Sequence, residues 1–316
     1  MFRNFRNNYY FGKAGQADLK PEDLPKTRMQ LFSVTLRTRL GSMFRVNILY
    51  TLVWIPTIIV LFIAFTSSLE LLMNDTLAPD KMRSVLDDLI FWSLLWLIPC
   101  ITITGPFTAG VSKIMRNWAR DEHAFVWSDF KDAVKENWKQ GLLVSFLTSL
   151  FPAIVYSGYT FYGDQAAKNA ILLVPQALVA ILGVLWAISV TYMYPLMVCY
   201  EMKTKDLFRN AFLLGVARLP QSVGIRLLLC VPAALAFLAA MFIPGATMYA
   251  LLFLIMFYAL IGFCLSRFIT ASYCNGVFDR FINSHIEGMK VNRGMAPPEE
   301  DIDEETEEAH GGAPED

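Results

Sequence analysis

Five long runs without a charged side chain or a histidine most strongly constrain how this chain can fold. They cover residues 46–69, 89–112, 140–163, 169–200 and 227–266. An α-helix rises about 1.5 Å per residue, so about 20 apolar residues cross the ~30 Å hydrocarbon core of a bilayer. The first four runs fit one crossing each. The fifth fits two, because Pro244-Gly245 near its middle is a strong turn signal.

These runs predict an all-α, polytopic membrane bundle with six transmembrane helices. The expected spans are about 46–69, 89–112, 140–163, 174–200, 227–243 and 246–266. The fourth span begins near residue 174 because Pro175 suits the first turn of a helix. Together the spans form a membrane domain over residues 44–295, with the lipid bilayer as its surroundings.

The placement of lysine and arginine predicts the orientation of the bundle. Charged residues make up 17% of the chain, against about 25% in soluble domains. All Lys and Arg residues except Lys81, Arg83 and Lys168 lie before the first run, after the last, or in segments 113–139 and 201–226. Basic residues concentrate on the cytoplasmic side of a membrane. Six crossings put these basic segments on one side, so we expect a multi-pass membrane protein with both termini in the cytoplasm.

The two ends of the chain differ in charge. Residues 1–43 are basic and lack the apolar stretch of a cleavable signal peptide, so we expect a cytoplasmic segment there. From Glu299 to Glu308, eight of ten residues are Asp or Glu. Such a sequence cannot bury enough apolar surface to fold, which predicts a disordered acidic tail over residues 296–316. The tail either only solvates the protein or acts as a tether that folds back onto the basic segments.

Three segments on the basic side have the pattern of amphipathic helices: residues 126–139, 205–219 and 275–288. In the first, Trp127, Phe130 and Trp138 follow helical spacing, while lysines occupy mostly other faces. Aromatic residues with basic flanks suit the interface between anionic headgroups and the acyl region. We therefore expect these segments to be interfacial helices that lie on the cytoplasmic surface of the membrane.

The predicted spans contain no side chain suited to ordinary catalysis or to ion-coupled transport. They hold no carboxylate, amine or imidazole, and the chain has no HExxH motif and no phosphate-binding glycine motif. Its five cysteines form no CxxC pair, and its three histidines are isolated. We therefore expect no catalytic residue, no metal, no cofactor and no nucleic-acid partner, and we do not expect an enzyme.

A cluster of small and polar residues at the end of the second span is the first candidate site. Thr104, Gly105, Pro106 and Thr108 lie just inside its cytoplasmic end. Glycines allow close helix approach, and threonine hydroxyls can take up carbonyls that a proline frees, which favours packing. The functional alternative is a polar notch, formed by a helix break, that opens to the cytoplasm.

Several motifs make the chain resemble the YesL-like family of bacterial membrane proteins, whose function is not established. The motifs include Gly105-Pro106-Phe107-Thr108-Ala109-Gly110, Arg116, Arg120, Asp129-Phe130, Glu136-Asn137-Trp138-Lys139-Gln140, Tyr194-Pro195-Leu196, Phe208-Arg209-Asn210-Ala211 and Leu219-Pro220. The resemblance implies a place in the inner membrane of a bacterium and an association with carbohydrate uptake, including ABC importers, and it offers no established catalytic or ligand residue to carry over. The outer loop 70–88 and the tail depart from the compact family pattern.

The leading hypothesis is an accessory or regulatory protein of carbohydrate uptake that acts through a basic cytoplasmic face. The candidate residues of that face are Arg116, Arg120, Lys131, Lys135 and Arg209. Its expected partners are a sugar ABC transporter or other membrane proteins. The alternative is a transporter or channel-like facilitator for a small neutral solute such as a sugar. A third hypothesis is a protein that binds lipid headgroups.

Overall fold

The computed structural model describes residues 24–73 and 77–296, and within these ranges the chain forms helices and no strand. The α-helices are α1 (Arg28–Leu72), α2 (Pro79–Trp118), α3 (Val126–Ala166), α4 (Leu173–Cys199), α5 (Thr204–Ala217), α6 (Leu219–Phe242), α7 (Thr247–Phe257) and α8 (Phe263–Phe281). A π-helical turn, Tyr258–Gly262, joins α7 to α8, and two 3-10 turns span Ala170–Leu172 and Asn283–His285. The predicted acidic tail from residue 297 onward and the first 23 residues lie outside the described ranges.

Six helical stretches are long and apolar enough to cross a membrane. They are Arg28–Leu72, Pro79–Trp118, Val126–Ala166, Ala170–Cys199, Leu219–Phe242 and Thr247–His285. The break that separates the last two falls at Pro244-Gly245, where Gly245 has a φ of +77°. A positive φ is open to glycine at little cost, so this turn explains why the longest apolar run divides in two. The prediction of a six-helix membrane bundle is confirmed.

The first three helices are longer than the predicted spans because the helix does not stop where the charges begin. The 41 residues of α3 include both the predicted interfacial helix 126–139 and the span 140–163 without a break. At about 1.5 Å per residue such a helix is about 62 Å long, twice the hydrocarbon thickness. The boundary between 139 and 140 carries no proline, and charged side chains alone do not end a helix. The predicted loop 70–88 is likewise largely helical, with Pro79 at the start of α2.

Of the other two segments predicted at the membrane interface, 275–288 belongs partly to a longer helix, whereas 205–219 corresponds to a helix of its own. Residues 275–281 continue α8, and the 3-10 turn follows. Helix α5 is separate, but its small and apolar face packs against α4. Leu207 and Ala211 are fully buried there, and a Cβ on Gly215 would lie 3.1 Å from the Ile188 side chain.

The protein core lies in the half of the bundle that carries the basic residues. One cluster centres on α4, with Tyr192, Leu196 and the facing Phe278 of α8. A second joins α1, α2 and α8 through Tyr50, Trp118 and Phe268, among others. Toward the other end the helices present large apolar side chains outward, such as Ile63 and Phe237, as lipid-facing surfaces do. The bundle is therefore packed most tightly where its functional candidates lie.

Candidate functional site at the basic end of the bundle

The predicted notch residues lie at the closest crossing of α2 and α3. A Cβ on Gly105 would overlap the carbonyl oxygen of Gly141 and the Oγ of Ser145, and one on Gly141 would lie 3.0 Å from the backbone of Gly105. Pro106 is buried beside this contact. Two glycines that face each other let helix backbones approach as they do in other membrane bundles. The structure thus places Gly105 and Pro106 in a helix contact.

Threonine hydroxyls complete this crossing. Thr104 and Thr108 are each 2% exposed, and they donate hydrogen bonds to the carbonyls of Ile101 and Thr104, both at 2.8 Å. Because the Thr108 proton is used in this way, the Tyr50 hydroxyl is the donor in its 2.6 Å contact with Thr108 Oγ1. All four notch residues are therefore buried and engaged in packing, and none of them lies at an opening.

A layer of buried hydroxyl groups extends from this crossing through the bundle. The Tyr194 hydroxyl lies 2.7 Å from Ser145 Oγ, joining α4 to α3. Ser222 donates to the Arg218 carbonyl, so Tyr192 donates to Ser222 Oγ at 2.6 Å and accepts from Tyr273 at 2.9 Å. Sequence reasoning missed this layer, because its members come from different helices and each looks like an ordinary packing residue.

Two arginines adjoin the hydroxyl layer without a carboxylate partner. Arg267 lies over the ring of Tyr194, with its Cζ 5.2 Å from the ring centre. Arg226 interacts electrostatically with Arg267, and its Nε is buried and has no hydrogen-bond partner. Neither forms a salt bridge within the described part of the chain. Both sit at the edges of a charge-free run, so in the sequence they look like ordinary flanking charges.

The predicted basic face divides into an inward and an outward part. Arg116 and Arg120 turn inward to Glu122, with N–O distances of 3.0 and 3.2 Å, and Arg293 reaches the same carboxylate at 2.6 Å. Burial and the neighbouring Arg116 lower the pKa of Arg120 below its ordinary value. We call this group the Glu122 cluster. It fastens the segment after α8 to the loop between α2 and α3.

A second polar cluster fixes the start of α1 to the end of α8. Asp279 Oδ2 accepts from Arg28 Nη2 at 2.8 Å and from the backbone N–H of Asn292 at 3.1 Å. Its Oδ1 accepts from Asn283 at 2.6 Å, and the side-chain oxygen of Asn283 accepts from the Tyr200 hydroxyl. Burial raises the pKa of Tyr200, so its hydroxyl stays a donor. We call this group the Asp279 cluster.

The outward part of the basic face is exposed and includes aromatic side chains. Lys131, Lys135 and Arg209 are all exposed. Trp127 and Trp138 are 68% and 49% exposed, and the Lys139 ammonium group lies 5.5 Å from the ring centre of Trp138. The residues Trp127, Lys131, Lys135, Trp138 and Lys139 follow one another along the first part of α3, and we call them the α3 surface.

A polar cavity of about 860 Å³ lies beside the α3 surface. Its walls come from α3, from the end of α4 with the connection to α5, and from Lys113 of α2, and they include Glu136, Gln140 and Glu201. Gln140 donates to the Met202 carbonyl at 2.8 Å, which ties the two walls together. Among the described residues, no group of three or more His, Cys, Asp or Glu side chains could hold a metal ion.

Residues 43–159 match the family of proteins of unknown function DUF624. The chain is similar to that family over most of α1, all of α2 and most of α3. No curated protein and no solved structure matches the chain. The matched part holds the Gly105–Gly141 crossing, the α3 surface and, apart from Arg293, the Glu122 cluster.

Proposed function

We propose that this membrane protein is an accessory or regulatory component of carbohydrate uptake that binds a membrane partner through its basic end. The observation that carries the proposal is the α3 surface, which is exposed and basic on a rigid support. The Gly105–Gly141 crossing holds α3 against α2, the Ser145–Tyr194 contact holds it against α4, and Gln140 ties it to the carbonyl of Met202. A surface fixed in this way loses little conformational freedom when a partner binds.

The composition of the α3 surface suits a protein interface. Tryptophan is enriched among residues that dominate binding energies, and Trp127 and Trp138 are both more than 45% exposed here. Exposed lysines beside them favour a partner with acidic loops and speed its approach. The adjoining polar cavity offers room for a side chain or a short loop of that partner.

The link to carbohydrate uptake is supported by the resemblance to the YesL-like family, which implies an association with sugar importers. The partner we propose is therefore a membrane subunit of a sugar ABC transporter. Its contact with this protein would be on the side of the basic segments, which we expect to be cytoplasmic.

Capture from detergent-solubilised membranes of the native host tests this function. The paired substitution Lys131→Glu with Lys135→Glu should reduce recovery of a sugar-importer subunit about tenfold, because it reverses the charge of the α3 surface. The matched control, Lys81→Glu with Lys168→Glu, makes the same charge change at two exposed lysines elsewhere and should leave recovery unchanged. Recovery of no importer subunit, or an equal loss in both variants, would contradict the proposal.

A second candidate function, passage of a small neutral solute, is favoured by the buried hydroxyl layer. Its tyrosine and serine groups are the kind that hydrogen-bond to sugar hydroxyls. Liposomes containing the protein should then take up a labelled mono- or disaccharide faster than empty liposomes. Tyr192→Phe, which removes the donor to Ser222, should slow that uptake. Equal rates with and without protein across the sugar panel would exclude this function.

A further inference from the structure

An apolar pocket of about 1040 Å³ lies between the first turns of α1, the start of α6 and the length of α8. Its apolar walls include Phe32, Leu36, Leu228, Leu265 and Ile269. Both α6 and the stretch Thr247–His285 are among the helices able to cross a membrane. Leu227 and Leu228 beside it are 65% and 51% exposed, which places apolar surface along one edge of the pocket. The medium that meets such an edge is the lipid bilayer.

The pocket has a basic end. Arg218 and Arg280 lie on the ring of Phe281, with their Cζ atoms 5.6 and 5.7 Å from its centre. Neither arginine forms a salt bridge in the ranges 24–73 and 77–296. Asp279 lines the same end, but its carboxylate already accepts from Arg28, Asn283 and Asn292. The free charge at this end is therefore positive.

Two polar atoms of the lining residues are left without partners. The Nε of Arg218 and the Oγ of Ser272 are both buried, and neither has a hydrogen-bond partner. Buried donors in proteins are nearly always satisfied by the protein itself, by water or by a ligand. Phosphate oxygens suit such donors well, because a guanidinium group binds them through charge-assisted hydrogen bonds.

We propose that this pocket binds one molecule of an anionic phospholipid. Its phosphate lies between Arg218 and Arg280, and one acyl chain follows the apolar wall toward Leu228 and Leu265. The distance along α6 from Arg218 to Leu228 is about 15 Å, which is half of the ~30 Å hydrocarbon thickness and therefore the depth of one acyl chain. This site is distinct from the basic face, whose Arg116 and Arg120 are occupied by Glu122.

Native mass spectrometry of the purified full chain in mild detergent tests the proposal. Phosphatidylglycerol should give a complex with one retained lipid, at least tenfold more abundant than the complex with phosphatidylcholine at the same concentration. Arg218→Gln with Arg280→Gln should lower phosphatidylglycerol retention to the phosphatidylcholine level. Arg218→Lys with Arg280→Lys keeps the charge and should retain part of the preference.

Three further measurements distinguish the contributions of the headgroup and the acyl chain from a general effect on the fold. Ile269→Trp fills the apolar wall and should reduce retention with both arginines intact. Glycerol 3-phosphate, which has the phosphate without an acyl chain, should not displace the lipid at equal concentration. Lys81→Gln with Lys168→Gln removes two exposed charges outside the pocket and outside the basic face, and should leave retention unchanged. The proposal would be overturned by equal retention of the two lipids or by undiminished retention in the Arg218→Gln, Arg280→Gln variant. Displacement of the lipid by glycerol 3-phosphate would also overturn it.

Discussion

At the scale of single residues, the bundle depends on positions where no larger or differently charged side chain fits. Gly105 is one of these, because the backbone of α3 occupies the space that its side chain would need. Glu122 is another, because three arginines share its carboxylate. Both lie in the part of the chain that matches DUF624.

Gly105→Ala should destabilise the protein by about 1–3 kcal/mol, because an added methyl group in a packed helix crossing forces the backbones apart. Thermal unfolding in detergent, followed by the loss of monodisperse protein, measures the change. Gly224→Ala is the matched control, since a Cβ there meets nothing within 4 Å. A Gly105→Ala protein as stable as the control would show that α2 and α3 do not cross at this point.

Glu122→Gln should destabilise the protein by about 1–3 kcal/mol, because it leaves a group of partly buried arginines facing one another. The loss should be smaller in 1 M salt, which screens that repulsion. Asp164→Asn breaks the exposed pair with Arg83 at the other end of the bundle, where the side chains are 69% and 66% exposed, and should cost less than about 1 kcal/mol. Equal effects of the two substitutions would contradict an organising role for Glu122.

At the scale of elements, the main feature is the continuity of α3 from the α3 surface to the far end of the bundle. One helix carries the exposed lysines, the Gly141 contact and the Ser145 hydroxyl. Because no break separates residues 127–139 from these contacts, the α3 surface has a fixed position relative to the core. A separate interfacial helix joined by a flexible turn would not be fixed in this way.

A proline within α3 distinguishes one continuous helix from a separate interfacial helix joined by a flexible turn. Lys139→Pro should destabilise the protein by about 3 kcal/mol, because it removes a helix hydrogen bond and clashes with the preceding turn. Val126→Pro lies at the first position of α3, where no such bond is needed, and should cost less than about 1 kcal/mol. The measurement is again thermal unfolding in detergent. Tolerance of proline at residue 139 would indicate a break between the α3 surface and the span.

At the scale of the whole molecule, the two ends of the bundle are held together by different kinds of contact. The basic end is held by buried side chains and by the Glu122 and Asp279 clusters. At the other end, residues far apart in sequence are joined by contacts such as the exposed pair of Arg83 with Asp164 at 2.9 Å and the half-buried contact of Tyr156 with Asp87 at 2.7 Å. Lipid covers much of the apolar surface between them, so we expect detergent or lipid composition to affect the second end more strongly.

The orientation of the whole bundle is a prediction that chemical labelling can test. We expect a membrane-impermeant thiol reagent to label Lys168→Cys in intact cells and Lys135→Cys only after the membrane is opened. Both positions are exposed, so a difference in labelling reports the side of the membrane. The unsubstituted chain provides the background from its five native cysteines. The reverse pattern would place the basic end outside the cytoplasm.

The sequence by itself determined the number of membrane-crossing helices, because crossing depends on the local length and polarity of a segment. The Pro244-Gly245 turn belongs to the same class of local signal. The sequence also identified Gly105 as a candidate, since a run of small residues is visible along the chain. It did not determine the lengths of α1, α2 and α3, because charge changes do not end a helix.

Only the tertiary structure decided which side chains meet. Arg116 and Lys131 look alike in the sequence, yet one is paired with Glu122 and the other is exposed. The hydroxyl layer and the basic end of the apolar pocket are likewise formed by residues from several helices. The distances between these residues depend on how the helices cross and on how each helix is rotated about its axis. Both are set by packing between segments that are distant in the sequence, and the residue pattern of a single helix does not reveal them.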